Sequence, residues 1–105
     1  MSDPQPLLSA LADPTRRRLF ERLNAKGPAS ASQLAAEMPI SRQAIAKHLG
    51  QLDSVGLVDR TTSGREVVYT ARVEGLEEVS AWLEGVGEDW SRRLGKLRRS
   101  MEEGS

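Results

Sequence analysis

Pro39 stands two residues before Ser41, and that spacing constrains the chain more than any other feature. Proline lacks the N–H a helix interior needs, and its ring collides with the preceding turn. Serine is a preferred helix N-cap. One helix must therefore end before Pro39 and another begin at Ser41. The first has its own start signal, because Ser30-Ala31-Ser32-Gln33 fits a capping box with Ser30 as cap and Gln33 reaching back. Leu34, Ala35 and Met38 supply its inner face. Ile40 and Ile45 occupy the two positions of a hydrophobic staple around Ser41, which fixes the angle at which the chain enters the second helix. Two short capped helices joined by so tight a turn predict a helix-turn-helix over residues 30–55 rather than a parallel bundle.

The flanking segments complete a mainly α domain with a small β-hairpin. Leu7, Leu8 and Leu11 form a short apolar stripe over residues 7–12. Asp13-Pro14 then restarts the chain, with aspartate as N-cap and proline at the first helical position, where its missing N–H costs nothing. That helix should bury Leu19, Phe20 and Leu23, run to about Ala25, and stop at Gly27-Pro28. The helix begun at Ser41 buries Ile45, Leu49 and Leu52 and ends near Val55-Gly56. Leu57–Thr61 and Glu66–Ala71 are rich in Val, Thr and Tyr and flank Ser63-Gly64, so residues 57–71 read as a hairpin, or wing. From about Gly75 to Glu103, apolar residues from Leu76 to Met101 recur at helical spacing, with Gly85 and Gly87 as local weak points. The 105 residues make one domain.

At 100° per residue, the stripe of Ile45, Leu49 and Leu52 leaves Gln43 and Lys47 pointing away from the core. Gly50 falls between them, and Ala46 and Gln51 lie on the flanks. Arg42 opens the helix, and the first turn of a recognition helix is what meets base edges in a major groove. Arginine can donate twice to guanine, and glutamine can pair bidentately with adenine. Ser41 and the free N–H groups beside it suit a phosphate, while Gly50 and Ala46 allow close approach. An ordinary solvated face would also look like this, but the capped helix before it and the hairpin after it favour DNA reading.

Secondary candidates are less specific. His48 sits at the edge of the buried face, where packing or hydrogen bonding is the plain reading and a phosphate contact the second. On the hairpin, Arg60 and Arg65 flank the tip with Thr61 and Thr62 between, suited to phosphate or a minor groove. A charged edge that discourages sheet-to-sheet pairing is the alternative. The run Arg16-Arg17-Arg18 fits an intramolecular salt bridge as well as it fits DNA.

Formal net charge is zero, but its placement is uneven. Residues 1–73 carry ten Lys/Arg and seven Asp/Glu, a net of +3, and residues 74–105 carry five and eight, a net of −3. A basic front and an acidic back suit DNA on one side and self-association on the other. The long helix over residues 75–103 offers more apolar surface than one small domain covers. It is expected to pair with its symmetry mate and with Leu7, Leu8 and Leu11, holding two recognition helices about one DNA turn, ~34 Å, apart. Trp82, Val86, Trp90, Leu94 and Leu97 would anchor that homodimer, although the tryptophans could instead line a pocket for a small-molecule effector.

Several classes are excluded or disfavoured. The chain has no cysteine and one histidine, so thiolate metal sites and disulfides are out, and no metal or other cofactor is expected. No apolar run approaches the ~18 residues of a membrane span, and no signal-peptide pattern is present, so a cytoplasmic protein without membrane contact is expected. An enzyme is disfavoured, for want of a cysteine nucleophile, a histidine–serine motif or a Gly-rich phosphate loop. A winged protein-interaction module without DNA readout is the remaining alternative, favoured by the neutral overall charge.

Ala10-Leu11-Ala12-Asp13-Pro14-Thr15-Arg16-Arg17, then Ser30 through Leu34, Ile40 through Leu49, and Gly56-Leu57-Val58 resemble, in that order, the ArsR/SmtB winged-helix repressors. The resemblance covers roughly residues 7–72. The C-terminal segment with its spaced tryptophans is similar to the non-metal branch. It implies a winged helix-turn-helix with a long C-terminal dimerisation helix, a dimer on an imperfect palindromic operator, and repression of transcription. The cysteine motif of metal-sensing members would fall near residues 34–38, which read Leu-Ala-Ala-Glu-Met here, and residues 74–105 contain no histidine. Metal and thiol sensing are therefore not implied, and the signal is left unassigned.

Overall fold

A computed structural model describes residues 3–103, without the side chains of residues 90, 91, 93, 94, 96–98 and 100–103. The elements run α1 (Gln5–Ala12), α2 (Pro14–Lys26), β1 (Ala29–Ser30), α3 (Ala31–Glu37), α4 (Arg42–Ser54), β2 (Val58–Ser63), β3 (Glu66–Ala71) and α5 (Glu74–Glu103).

The starts of α2, α3 and α4 follow their local chemistry. The Asp13 carboxylate accepts the Arg16 N–H at 2.9 Å and Pro14 opens α2. Ser30 and Gln33 close the capping box of α3, with Gln33 N–H to Ser30 Oγ at 3.1 Å and Ser30 N–H to Gln33 Oε1 at 2.8 Å. Ser41 Oγ accepts the Ala44 N–H at 3.1 Å at the start of α4. These bonds satisfy N–H groups that a helix cannot pair internally.

The sheet differs from the expected hairpin by one strand. β3 lies in the middle, antiparallel to β2 on one side and to β1 on the other. Gly27, at φ +96°, turns the chain out of α2, and Ala29 and Ser30 then pair with Tyr69 and Val68. Two residues have no periodicity to read, so β1 is invisible to pattern analysis. Ser30 both ends this strand and caps α3. The β2–β3 connection is a two-residue loop, Gly64-Arg65. Gly64 has φ +63° there, a conformation that side chains with a Cβ rarely adopt.

Leu19, Leu23, Leu34, Ile45, Leu49, Leu52, Leu57 and Val58 are fully buried, and Phe20 and Tyr69 close around them. Deleting one such leucine to alanine typically costs ~2–5 kcal/mol. This core locks α4 by one stripe against α2, α3 and β2, so its opposite face is held rigidly outward.

α5 sits apart from this core. It meets the domain at α1, where a Cβ on Gly75 would come within 2.8 Å of Leu7 Cδ2. Val79 is buried and Leu76 half-buried, but Trp82 is 46% and Leu83 53% exposed. The helix continues through Gly85 and Gly87 without interruption. The molecule measures 70 × 30 × 20 Å with a radius of gyration of 19.3 Å, whereas a compact chain of this length would have ~13 Å. Leu7, Leu8 and Leu11 are half-buried, and so is Val86. The side chains of Trp90, Leu94 and Leu97, named above as dimer anchors, lie outside the described residues.

Candidate nucleic-acid interface

The turn between α3 and α4 spans Met38 to Ser41, with the Ile40 N–H donating to the Met38 carbonyl at 2.8 Å. Ile40 packs half-buried against the core and Ile45 is fully buried, so both staple positions are filled. α4 therefore leaves the turn in a fixed direction.

Ser41, Arg42, Gln43, Ala46 and Lys47 are all exposed. Ser41, Arg42, Gln43 and Ala46 line one shallow concavity at the start of the helix. The Ser41 oxygen is occupied by its capping bond, but its hydroxyl proton remains available to an incoming acceptor. Gly50 continues this face one turn on, and a Cβ placed there meets nothing within 4 Å. Its bareness thus serves no internal packing.

His48 is not on this face. Its side chain is 24% exposed, and Nδ1 is buried without a hydrogen bond, 4.0 Å from Asp13 Oδ2. That distance is too long for a hydrogen bond. The Asp13 carboxyl is held below its ordinary range, chiefly by the Arg16 backbone N–H and further by the nearby charges of Arg16 and His48. The structure thus turns the ring edge bearing Nδ1 toward α2 rather than outward.

The wing separates its two arginines. Arg65 occupies the tip loop, but Arg60 pairs with Tyr69 in mid-strand, so it does not flank the tip as expected. Strand alternation places Arg60 and Thr62 on the face shared with Tyr69 and Val67, and Thr61 on the other. All three are exposed. Sequence reading misjudged this because the strands run on to Ser63, leaving only two residues for the turn.

The arginine run resolves into different roles. Arg16 is half-buried and donates from Nε to the Ala10 carbonyl at 2.9 Å and from Nη1 to Gln51 Oε1. Arg17 makes a long contact of 3.4 Å to the Leu11 carbonyl, and Arg18 is exposed. The expected alternatives, salt bridge or DNA, omit what Arg16 does: it satisfies backbone carbonyls at the end of α1. No sequence pattern signals that.

Residues 1–73 carry a formal net charge of +3 despite the neutral total. Glu37 is paired with Arg22, Asp59 with Arg72, and Asp13 with its capping bond. Among the described residues, Arg42, Lys47, Arg60 and Arg65 form no ion pair. Exposed cations that form no ion pair are available for phosphate contact.

Comparison with known proteins gives the same direction. A family profile described as "Helix-turn-helix domain" matches residues 11–61. The chain is 37% identical over 91 residues to the HTH-type transcriptional regulator Rv2034 of Mycobacterium tuberculosis, covering 87% of this chain and 81% of that one. It resembles an ArsR-like transcriptional regulator from Rhodococcus sp. RHA1 with a TM-score of 0.80 and 40% identity, over 91% of this chain and 90% of that one. The solution structure of the cadmium metal-sensor CMTR from Mycobacterium tuberculosis matches with a TM-score of 0.56 and 40% identity, over 64% of this chain and 68% of that one. With its buried helix-turn-helix core, exposed basic face and these relatives, the chain belongs to the ArsR family of DNA-binding transcriptional regulators.

Proposed function

We propose that the protein is a homodimeric repressor that binds an imperfect palindromic operator in double-stranded DNA. The observation that carries this reading is the unpaired Arg42–Gln43–Lys47 face of α4, on a helix anchored by the fully buried Ile45, Leu49 and Leu52. Such a helix reads bases only if it is rigid, because a mobile one forfeits the geometry of bidentate contacts. Arg42 and Gln43 contact base edges. Ser41 and Lys47 hold phosphates on either side, with Ala46 allowing close approach. Arg65 at the wing tip, with Arg60 and Thr62 on the inward face of the hairpin, grips the neighbouring backbone, and His48 supports α4 from its flank.

Dimerisation is supported by the extended shape. Most of α5 projects beyond the core that covers its first turns, and Trp82 and Leu83 stand exposed on it. Pairing of two α5 helices, with α1 beside them, buries this surface and sets the spacing of two recognition helices.

The signal we assign is not a metal or a thiol oxidant. The 105 residues contain no cysteine, and the single histidine lies on α4. A small-molecule effector between α5 helices remains compatible with the chain. Among the described residues no helix is long and apolar enough to cross a membrane, which fits a regulator working in the cytoplasm, and nothing in the relatives' names calls for catalysis.

Selection of duplexes from a random-sequence library by the purified protein tests the reading. Recovery of a two-fold symmetric motif, bound less tightly as salt rises, supports it. Equal binding of selected and random duplexes at moderate salt overturns it.

A further inference from the structure

We propose that Arg16 is a positioning residue that fixes the recognition helix α4 relative to the α1–α5 end of the molecule, without itself touching DNA. The inference rests on the DNA-reading role proposed for α4.

The need for such a residue arises at the α1–α2 corner. α1 ends at Ala12, and Pro14 begins the next helix after a single intervening residue, Asp13. The last carbonyls of a helix lack internal partners, and α1 has no basic residue in its own last turn. Arg16, in the first turn of α2, supplies donors to two of those carbonyls. Its Nε bonds the Ala10 carbonyl at 2.9 Å, and Nη2 makes a longer contact of 3.4 Å to the Ser9 carbonyl. Those two bonds serve α1 alone. The same guanidinium, however, also extends Nη1 to Gln51 Oε1 on α4. One planar group therefore joins three elements, since its backbone belongs to α2, two of its donors serve α1, and one serves α4.

A second contact parallels the first. Asp13, the cap of α2, faces His48 at 4.0 Å, and His48 and Gln51 are three residues apart on α4, neighbours on one flank. Two successive turns of the recognition helix thus rest on the α1–α2 corner. α1 in turn packs directly against Gly75 of α5. A contiguous chain of contacts runs from α5 through α1 and Arg16 to α4. The adjoining stripe of α4 is buried, so the core sets its depth, while this clasp resists its rotation and tilt.

The geometry requires arginine. Lysine presents a point charge on a flexible stem and cannot hold divergent acceptors in one plane. Arg16→Lys therefore preserves charge and removes the clasp. Gln51→Ala removes only the α4 contact, at an exposed position where folding is not at stake.

The test uses full-length protein and two probes: the duplex selected most strongly by the unmodified protein, and its isolated half-site. Arg16→Lys and Gln51→Ala should each weaken the full duplex about tenfold but the half-site by less than about threefold, with an unchanged salt slope. The double variant should be no weaker than either alone, the mark of one shared interaction. Amide hydrogen exchange of the free Gln51→Ala protein should show faster exchange in α4 at unchanged global stability. Equal loss on both duplexes, additive effects, or an Arg16→Gln salt slope reduced by about one, the signature of a lost phosphate contact, overturns the proposal. Unaltered exchange in α4 overturns it whatever the DNA result, whereas absence of any selected duplex counts against the DNA-reading role instead.

Discussion

Arg22 grips the Glu37 carboxylate with two nitrogens, Nε to Oε2 at 2.6 Å and Nη2 to Oε1 at 3.0 Å, and its third nitrogen donates to the Gly27 carbonyl at 3.1 Å. This pair ties α2 to the first helix of the helix-turn-helix. The hydrogen bonds from Arg22, with its charge, hold the Glu37 carboxyl below the ordinary glutamate range, and Glu37 raises the Arg22 guanidinium in return.

A carboxyl whose pKa is lowered by folding stabilises the fold above its unfolded pKa and loses that contribution as pH falls through the lowered folded value. Glu37→Gln should therefore melt at a lower temperature than the unmodified protein at neutral pH. The gap should close in acid, once Glu37 is protonated in both states. Thermal melts across pH 2–7 (roughly the carboxylate window) check this, and a constant gap would show that the ionised pair contributes nothing. Asp13 shifts in the same direction, so the Glu37→Gln protein should still lose stability in acid.

Base readout and backbone grip should separate by substitution. Gln43→Ala should cost ~1–3 kcal/mol on the preferred sequence and little on random DNA, flattening base preference at one position. Arg65→Ala should weaken all duplexes more evenly and reduce the salt slope by about one. Binding titrations at several salt concentrations distinguish the two patterns.

Ser41→Asp should uncouple folding from binding. Aspartate caps a helix as well as serine does, and its charge is favourable at a helix N-terminus. The variant should melt at or slightly above the original temperature. Its DNA affinity should fall sharply, because a carboxylate then faces phosphate. Ser41→Ala, by contrast, should cost about 1 kcal/mol of stability.

Trp82→Ala should weaken self-association by ~2 kcal/mol or more, as expected for a buried aromatic anchor, without unfolding the domain. Trp82 is 46% exposed in the single chain, so the core loses little. Sedimentation should show the monomer–dimer midpoint moving to higher concentration, and an unmoved midpoint would place the interface elsewhere.

How much was legible depends on the range of each interaction. The capping box of Ser30 and Gln33, the caps at Asp13 and Ser41, and the stop at Pro39 are interactions across three or four residues, and each stands where its motif places it. The buried stripe Ile45, Leu49 and Leu52 follows from helical period alone. The exposure of Gln43 and Lys47 follows as its complement, and Arg42 is exposed as the first residue of the helix. β1 was not legible, because two residues acquire strand character only by lying beside β3. The turn length at Gly64-Arg65 decided that Arg60 sits in mid-strand, a matter of register with Tyr69 that composition does not encode.

By itself, the sequence determined the number and type of the helices, the helix-turn-helix, the face of α4 that points to solvent, and the lack of thiolate chemistry. These are consequences of local backbone preference and of a period that sorts side chains to two sides. Only the tertiary structure decided that Arg16 spans from the α1 carbonyls to Gln51, that His48 turns toward Asp13, and that α5 leaves the core with Trp82 uncovered. Arg16 and Gln51 are 35 residues apart, and which acceptor a long, flexible guanidinium finds depends on where the core sets the helices, not on its neighbours in the chain.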